Sequence, residues 1–359
     1  GRYVLWRGAQ IMQEMGYTVK YGDTDSVMIQ LADNSEDVTP REVYERGKEV
    51  EEKLNDRMDE VADEFGIGEE HPYLKDSDLH GNDRHCLMWE FEKLYRRFLQ
   101  AGTKKRYAGL PVWKEGKWYI DEPDAPGGEI EDVDPDITGF ESNRADVLPI
   151  AAKTQKKVIE RVLAGDDFSA LSEYVTGVVD DIKNLNLPIH EIAKPGVLNK
   201  PLEEYGNTPT ARACRYSNIE LDMEWREGDD PWIYYTRSTP PMVQDTDVIA
   251  LDWGQELPEG FEVNKDKVLE KVQAPLEPVL GETEWTFDEL KTGRQMQGVE
   301  TESKGNPFSG GAPIPTDNDS QATNNAEEGR IGRDGHEEDS DGDEDDGDNS
   351  DQTENALSW

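Results

Sequence analysis

The sequence of 359 residues is long enough for two or three domains, and it contains 80 acidic against 38 basic residues, a formal net charge of -42. Because cationic surfaces normally supply affinity for nucleic acids, this charge argues against nucleic-acid binding at low salt. The two cysteines, Cys86 and Cys214, suggest no disulfide framework, and the sequence contains neither a signal peptide nor an apolar run of membrane-spanning length. We therefore expect a soluble, cytoplasmic protein with no membrane partner.

The first part of the chain predicts a helix, a hairpin and a second helix. Apolar periodicity indicates a helix over 2–15, which Gly16 ends. Two apolar runs, 17–21 and 27–31, flank a Gly-Asp-Thr-Asp sequence and predict two strands joined by a tight turn. A second, highly charged amphipathic helix is predicted over 39–65.

The remaining pattern predicts a mixed α+β protein. The apolar and aromatic stretch 87–99 indicates strands that lead into a basic segment, and an acidic, Pro- and Gly-rich loop follows at 121–136. The other predicted elements are a hairpin over 113–120, helices over 146–163, 168–185 and 264–280, and short strands over 231–236 and 247–251. From about residue 298 large apolar residues are scarce, which predicts disorder because such a segment cannot bury enough surface to offset its ordering entropy.

The predicted hairpin turn brings two carboxylates, Asp23 and Asp25, close together. Clustered carboxylate oxygens suit Mg²⁺, which keeps several waters and is usually shared with substrate phosphates. A two-metal site of this kind aligns the attacking and leaving oxygens of phosphoryl transfer. The alternative is that the two Asp side chains only cap the turn, as Asp commonly does.

Three ordered sequence matches resemble family B DNA polymerases. Segment 21–26, Tyr-Gly-Asp-Thr-Asp-Ser, resembles the third polymerase motif of that family (YxDTDS). Segment 103–109 resembles the Lys-x-Tyr motif, and segment 139–146 resembles the G-x-E-x-x-R-x-D element at the junction of palm and thumb. Over 153–281 the resemblance continues only in hydrophobic pattern.

The resemblance implies three regions. Residues 1–145 would be the C-terminal half of a palm domain, an antiparallel sheet with helices; residues 146–290 would be a mainly helical thumb; residues 291–359 would be a disordered acidic tail. The implied activity is template-directed deoxynucleotidyl transfer in DNA replication, with primer-template DNA and deoxynucleoside triphosphates as partners.

The resemblance also implies roles for individual residues. Asp25 would bind the catalytic Mg²⁺ ions, and Asp23 would be an accessory acid. The residues implied to contact the primer-template duplex are Lys105, Tyr107, Lys104, Arg106 and Tyr21, with the thumb adding Arg212 and Arg215. For Glu141, Arg144 and Asp146 a structural ion-pair network is favoured over a functional one.

Parts of the family pattern are absent from the sequence. We find no first motif of the D-x-x-S-L-Y-P kind and no fingers helix with its triphosphate-binding Lys. The two-metal site would then be completed by an Asp outside this chain, and activity would need an N-terminal polymerase portion. Because the first residue is Gly1, we expect that the chain does not begin at a natural start; a truncated product, a fragment after an insert and a split-polymerase subunit stay open.

Other interpretations of the sequence stay open. The chain could be a non-catalytic duplex-binding subunit of a split polymerase or, on Asp23-x-Asp25 alone, a metal-dependent glycosyltransferase. Segment 352–359 is similar to the short sliding-clamp-binding tails of archaeal replicative polymerases, although the aromatic pair is absent. Four residues invite a zinc interpretation, but their spacing matches no finger pattern and predicts ordinary loop and core roles: His71, His80, His85 and Cys86.

The acidic residues are spread along the whole chain, which favours a DNA-binding protein of a salt-rich cytoplasm over a polyanion that avoids DNA. At 1 M salt the Debye length is about 3 Å, so distributed repulsion is screened while close basic contacts persist. The sequence therefore predicts a halophilic enzyme of haloarchaeal origin.

Overall fold

The computed structural model describes residues 1–33, 36–64, 85, 87–102, 105–126, 128, 133–238 and 246–295. These residues all fall within one compact unit, Gly1–Pro313. The second unit, Ile314–Trp359, and with it the predicted clamp-binding segment, lies outside the described residues, as does the predicted disordered tail from residue 296 onward.

The chain begins with the predicted helix and hairpin. Helix α1 spans Arg2–Glu14, and strands β1 (Thr18–Asp23) and β2 (Ser26–Gln30) form an antiparallel two-stranded sheet. Ile11 and Met12 of α1 are buried beside this hairpin because the apolar face of the helix covers one side of it. The two predictions are confirmed.

The predicted helix over 39–65 is two helices in the structure, α2 (Pro40–Asn55) and α3 (Met58–Glu64). Helix α2 begins at a capping box in which Thr39 and Glu42 satisfy each other's backbone N–H groups. It ends at Asn55, whose side chain makes hydrogen bonds to the extended segment after residue 87. There the side-chain amide of Asn55 donates to the Trp89 carbonyl at 2.8 Å and accepts the Trp89 N–H at 2.7 Å.

Among the described residues, the second sheet contains four antiparallel strands, in which β4 pairs with all the others. Their bounds are β3 Lys93–Gln100, β4 Tyr107–Lys114, β5 Lys117–Trp118 and β6 Asp136–Thr138. The predicted hairpin over 113–120 is β4 and β5, whereas the predicted strand region over 87–99 becomes strand only from Lys93.

The described part of the C-terminal half contains five α-helices and a third antiparallel sheet, in which β8 pairs with the other three strands. The helices are α4 Pro149–Ala164, α5 Phe168–Asn184, α6 Pro209–Glu220, α7 Lys265–Leu280 and α8 Phe287–Thr292. The strands are β7 Ala193–Pro195, β8 Trp232–Ser238, β9 Val248–Leu251 and β10 Phe261–Val263. The α+β class is confirmed, and the three predicted helices and two predicted strands of this half are present.

One buried cluster connects the second sheet with the C-terminal helices. Leu99 and Ala108 of β3 and β4 lie in the same cluster as Ile159 of α4, Val175 of α5 and Leu276 of α7. The ends of β3 and β4 that flank their connecting turn therefore pack on these helices. The proposed boundary between residues 145 and 146 stays a prediction. Among the described residues, no helix combines the length and apolar character needed to span a membrane.

Candidate functional site

The hairpin turn presents the two carboxylates differently. Asp23 pairs with Ser26, so Thr24 and Asp25 form a two-residue turn, with Thr24 at φ 52° and the Asp25 N–H donating to the Asp23 carbonyl at 2.6 Å. The half-buried Asp23 carboxylate accepts the Thr24 hydroxyl at 3.0 Å. Asp25 is exposed at the tip, and its carboxylate has no protein hydrogen-bond partner among the described residues. Asp25 is therefore the more accessible of the two carboxylates.

The donor set of this turn fits Mg²⁺ in kind, since both groups are carboxylates. Within the described part of the chain, no group of three or more His, Cys, Asp or Glu side chains could hold a metal. Asp23 and Asp25 would thus hold a cation only together with water, substrate phosphates or further ligands.

Tyr21 joins the hairpin to the second sheet. Its ring is 7% exposed, and its hydroxyl accepts the Lys105 backbone N–H at 3.0 Å. The ring centroid lies 5.5 Å from that of Tyr107 and 6.3 Å from that of Phe98. Burial raises the pKa of the Tyr21 phenol, so it stays neutral at ordinary pH. Direct contact of Tyr21 with DNA stays a prediction; in the structure it supports the β3–β4 turn.

The turn between β3 and β4 has a constrained backbone. Lys105 is exposed and adopts φ 67°, and the Ala101 N–H donates to the Arg106 carbonyl at 3.0 Å. Gly139, at φ 73°, lies against this turn, where a Cβ atom would be 2.0 Å from the Lys105 carbonyl oxygen. Only glycine combines this φ with so close an approach. Lys104 and Thr103 lie outside the described residues.

The third sequence match contributes ion pairs. Arg106 donates to Glu141 at 2.7 Å, and both side chains are half-buried. Arg144 makes a two-pronged pair with Asp146 at 2.9 and 3.0 Å. The three sequence matches, far apart in the chain, thus meet around the Lys105 turn. Arg106 is paired at this site, which reduces the free positive charge that the basic segment suggests.

The two thumb arginines are engaged within the protein. Arg212 binds both carboxylate oxygens of Asp247 at 2.9 and 2.7 Å. Arg215 donates to the carbonyls of Leu202 and Tyr205 at 2.6 and 2.5 Å, which fixes the loop before α6. Their contact with DNA stays a prediction.

A groove of about 1270 Å³ lies beside the carboxylate hairpin. Strand β2, helix α2 and strand β3 line it, and Asp25 and Tyr107 contribute to its wall. Among the described residues, β2 pairs only with β1 and β3 only with β4, so both strands present an unpaired edge. The groove gives a further segment or a substrate room to approach Asp25.

His85 has a structural role. It is 7% exposed, its Nδ1 accepts the Leu87 N–H at 3.1 Å, and its Nε2 lies 3.0 Å from Asp59 Oδ1. His71, His80 and Cys86 lie outside the described residues.

Sequence reasoning missed two residues beside the site. Phe98 packs on both Tyr21 and Tyr107. The alternation of side chains along β3 is the sequence signal that could have placed it there. Gln155 contacts the Glu141 region from α4 and has no signal in the sequence, because a lone Gln in a helix is unremarkable in pattern.

Over part of its length the chain is similar to DNA polymerases. It is 26% identical over 211 residues to the DNA polymerase alpha catalytic subunit of Dictyostelium discoideum, covering 58% of this chain and 11% of the relative. It is 25% identical over 205 residues to DNA polymerase 2 of Aeropyrum pernix, covering 57% and 18%. It is 26% identical over 309 residues to DNA polymerase II of Escherichia coli, covering 81% and 33%.

The chain therefore spans from 11% to 33% of the length of these three relatives. No family model matches the chain.

Proposed function

We propose that this chain provides the C-terminal palm and the thumb of a family B DNA polymerase. In the proposed reaction a primer 3′-hydroxyl attacks the α-phosphate of a deoxynucleoside triphosphate, and pyrophosphate leaves. The main supporting observation is the contact between Tyr21 and the Lys105 turn, because it joins the carboxylate hairpin to the proposed duplex-binding turn. The similarity to DNA polymerases supports the same conclusion.

Asp25 is the proposed metal ligand and Asp23 the accessory acid. The exposed position of Asp25 favours it, whereas Asp23 already accepts the Thr24 hydroxyl. Bound Mg²⁺ would orient the phosphates and neutralise developing charge.

The Lys105 turn is the proposed contact with the primer-template duplex. Lys105 would meet a phosphate as a point charge, and Tyr107 would pack on sugar or backbone; neither contact reads sequence. Lys104 and Arg106 would add to the local positive field, and Arg212 and Arg215 are the proposed thumb contacts.

We further propose that activity needs an N-terminal polymerase portion. This portion would supply the partner Asp and the Lys that binds the triphosphate. Because Asp25 lines the groove between β2 and β3, the partner Asp must reach this groove to share a metal ion with it.

Primer extension after adding an N-terminal portion of a similar polymerase tests the proposal. Asp25→Ala should abolish the restored activity, and Asp23→Ala should reduce it less. Glu45→Ala, which removes an exposed carboxylate of α2, is the matched control and should leave the activity unchanged. Equal activity of Asp25→Ala and Glu45→Ala would refute the metal site.

The second candidate function is a non-catalytic duplex-binding subunit. The exposed Lys105 turn favours it, because duplex binding there requires no metal. Duplex affinity of the chain measured with and without Mg²⁺ distinguishes the two, together with primer extension by the chain alone. Extension by the chain alone would contradict the need for an N-terminal portion. The similarity to DNA polymerases disfavours the glycosyltransferase interpretation.

A further inference from the structure

Gln155, on helix α4, is fully buried and makes three hydrogen bonds. Its Nε2 donates to Glu141 Oε2 at 2.9 Å and to the Pro275 carbonyl of α7 at 2.5 Å. Its Oε1 accepts the Ser142 N–H at 2.6 Å. A single amide thus connects α4, α7 and the segment after Gly139.

Glu141, whose carboxylate accepts a hydrogen bond from Gln155, also binds the proposed duplex-binding turn. Glu141 Oε2 accepts from Gln155, while Glu141 Oε1 accepts from Arg106 at 2.7 Å. Arg106 lies between Lys105 and Tyr107 in the chain, so the orientation of Glu141 fixes the middle of the turn. On the other side of the turn, Glu282, just after α7, accepts the Gly102 N–H at 3.2 Å.

We propose that Gln155 is a positioning residue for the contact of Lys105 and Tyr107 with duplex DNA, an inference that rests on the proposed function. Glutamine suits this place because it donates to a carboxylate and a carbonyl while accepting a backbone N–H. A leucine of similar size would leave the Ser142 N–H and one oxygen of Glu141 without a partner, at the cost of burying unsatisfied polar groups. Glu141 and Arg106 would then be free to reorient, and the turn would lose its fixed geometry.

The proposal also explains how the helices reach the turn. Helices α4 and α7 meet at Gln155, and Glu282 lies two residues after the end of α7. A change in the packing of these two helices would therefore shift the turn through the contacts of Gln155 with Glu141 and of Glu282 with Gly102. Gln155 acts through Glu141 and Arg106 and does not itself touch DNA.

The test compares Gln155→Leu with wild type in the full 359-residue chain, using a fluorescent primer-template duplex over a salt series. We expect Gln155→Leu to weaken duplex affinity by about five- to tenfold, the loss expected for about one net hydrogen bond. Amide hydrogen exchange in the peptide spanning 99–108 should become faster. Ser172→Ala is the matched control, because it removes a buried hydrogen bond from α5 to the Leu290 carbonyl away from the turn. It should lower the melting temperature without changing affinity or exchange at 99–108.

A double-mutant cycle with Arg106→Met shows whether Gln155 acts through the ion pair. In the Arg106→Met background, Gln155→Leu should have little further effect on affinity. If Gln155→Leu does not fold, Glu141→Gln replaces it, since it keeps the shape and weakens the hold on Arg106; it should reduce affinity in the same way.

The outcomes separate this inference from the proposed function. If Lys105→Ala weakens binding while Gln155→Leu changes only the melting temperature, as Ser172→Ala does, the positioning role is refuted and the duplex contact stands. If neither Lys105→Ala nor Gln155→Leu affects binding, or if the wild-type chain does not bind the duplex, the duplex contact itself fails and the inference fails with it.

Discussion

Tyr107 packs against two aromatic rings, which also pack against each other. Its centroid lies 5.5 Å from that of Tyr21 and 5.7 Å from that of Phe98. Aromatic pairs of this kind contribute about 0.5–1.5 kcal/mol beyond the area they bury. The ring therefore matters for the geometry of the neighbouring Lys105 turn as well as for any contact with DNA.

We predict that Tyr107→Phe retains most of the duplex affinity and that Tyr107→Ala loses more, because phenylalanine keeps the ring packing. The measurement is the dissociation constant of a primer-template duplex for the reassembled enzyme. Equal losses in the two variants would show that the hydroxyl, and not the ring, makes the contact.

For Lys105 the prediction concerns salt dependence. Lys105→Ala should weaken binding about equally for all duplex sequences and lower the salt slope by roughly 1, the effect of one lost phosphate contact. Lys117→Ala, at the exposed hairpin between β4 and β5, is a control that also removes one positive charge. An unchanged salt slope in Lys105→Ala would show that Lys105 makes no phosphate contact and that the turn is only a solvated part of the surface.

At the residue scale the sequence predicted the hairpin carboxylates because the turn is local. It could not predict the partners that lie far apart in the chain. Arg106 pairs with Glu141 at 2.7 Å, and Tyr21 accepts the Lys105 N–H at 3.0 Å; these contacts depend on how the two sheets meet. A motif match indicated that such residues matter without indicating which of them touch each other.

At the scale of elements, local signals predicted the long helices and the hairpins. Helix α7 was predicted over 264–280 despite Pro275 and Pro278, and the structure has it over Lys265–Leu280. The break between α2 and α3 was not predicted; it lies beside Asn55, whose side chain makes two hydrogen bonds to the backbone of Trp89, a partner far along the chain. Strands β7 and β10 were also missed, since each has three residues and depends on pairing with β8.

Asp136 connects three strands of the second sheet. At the start of β6, its carboxylate accepts from Lys114 Nζ and from the Tyr95 hydroxyl, each at 2.8 Å, and lies 3.3 Å from Lys93 Nζ. Burial opposes ionisation, but these hydrogen bonds and charges outweigh it and hold the pKa of Asp136 below its ordinary value.

A depressed pKa gives a stabilisation that is present above the ordinary Asp pKa of about 3.9 and is lost as the pH falls through the folded-state value. We therefore predict that Asp136→Asn lowers the melting temperature at pH 6 and that its difference from wild type shrinks toward pH 3. Thermal unfolding over this range, in constant high salt, measures it. Asp134→Asn, which removes an exposed partner of Lys156, is the control and should show little difference at any pH. A pH-independent difference for Asp136→Asn would contradict the assignment.

The whole molecule combines a continuous core with a strongly acidic surface. The largest buried cluster runs from Leu99 to Leu290 and connects the second sheet with the C-terminal helices. Most of its members lie in elements that the hydrophobic pattern predicted, but the pattern did not predict that residues on both sides of the proposed boundary at 145 would share one cluster. The proposed boundary at 145 thus rests on sequence resemblance alone, because the buried cluster extends across it.

The net charge of -42 leads to the last prediction, that folding depends on salt. Repulsion among like charges disfavours the compact state until it is screened, and the Debye length falls from about 10 Å at 0.1 M to about 3 Å at 1 M salt. Close pairs such as Arg106–Glu141, at 2.7 Å, are screened much less than the distributed repulsion because they are half-buried. The melting temperature should therefore rise from dilute buffer to molar KCl.

Circular dichroism over this range measures the effect. Sodium sulfate at equal ionic strength, compared with KCl, separates charge screening from the strengthening of apolar burial by sulfate. Equal stabilisation at equal ionic strength would identify screening as the cause, and it would support the proposed halophilic origin. A cooperative transition at the same temperature in dilute buffer and in molar KCl would contradict the prediction, because the short ion pairs and the core would then outweigh the repulsion without any help from salt.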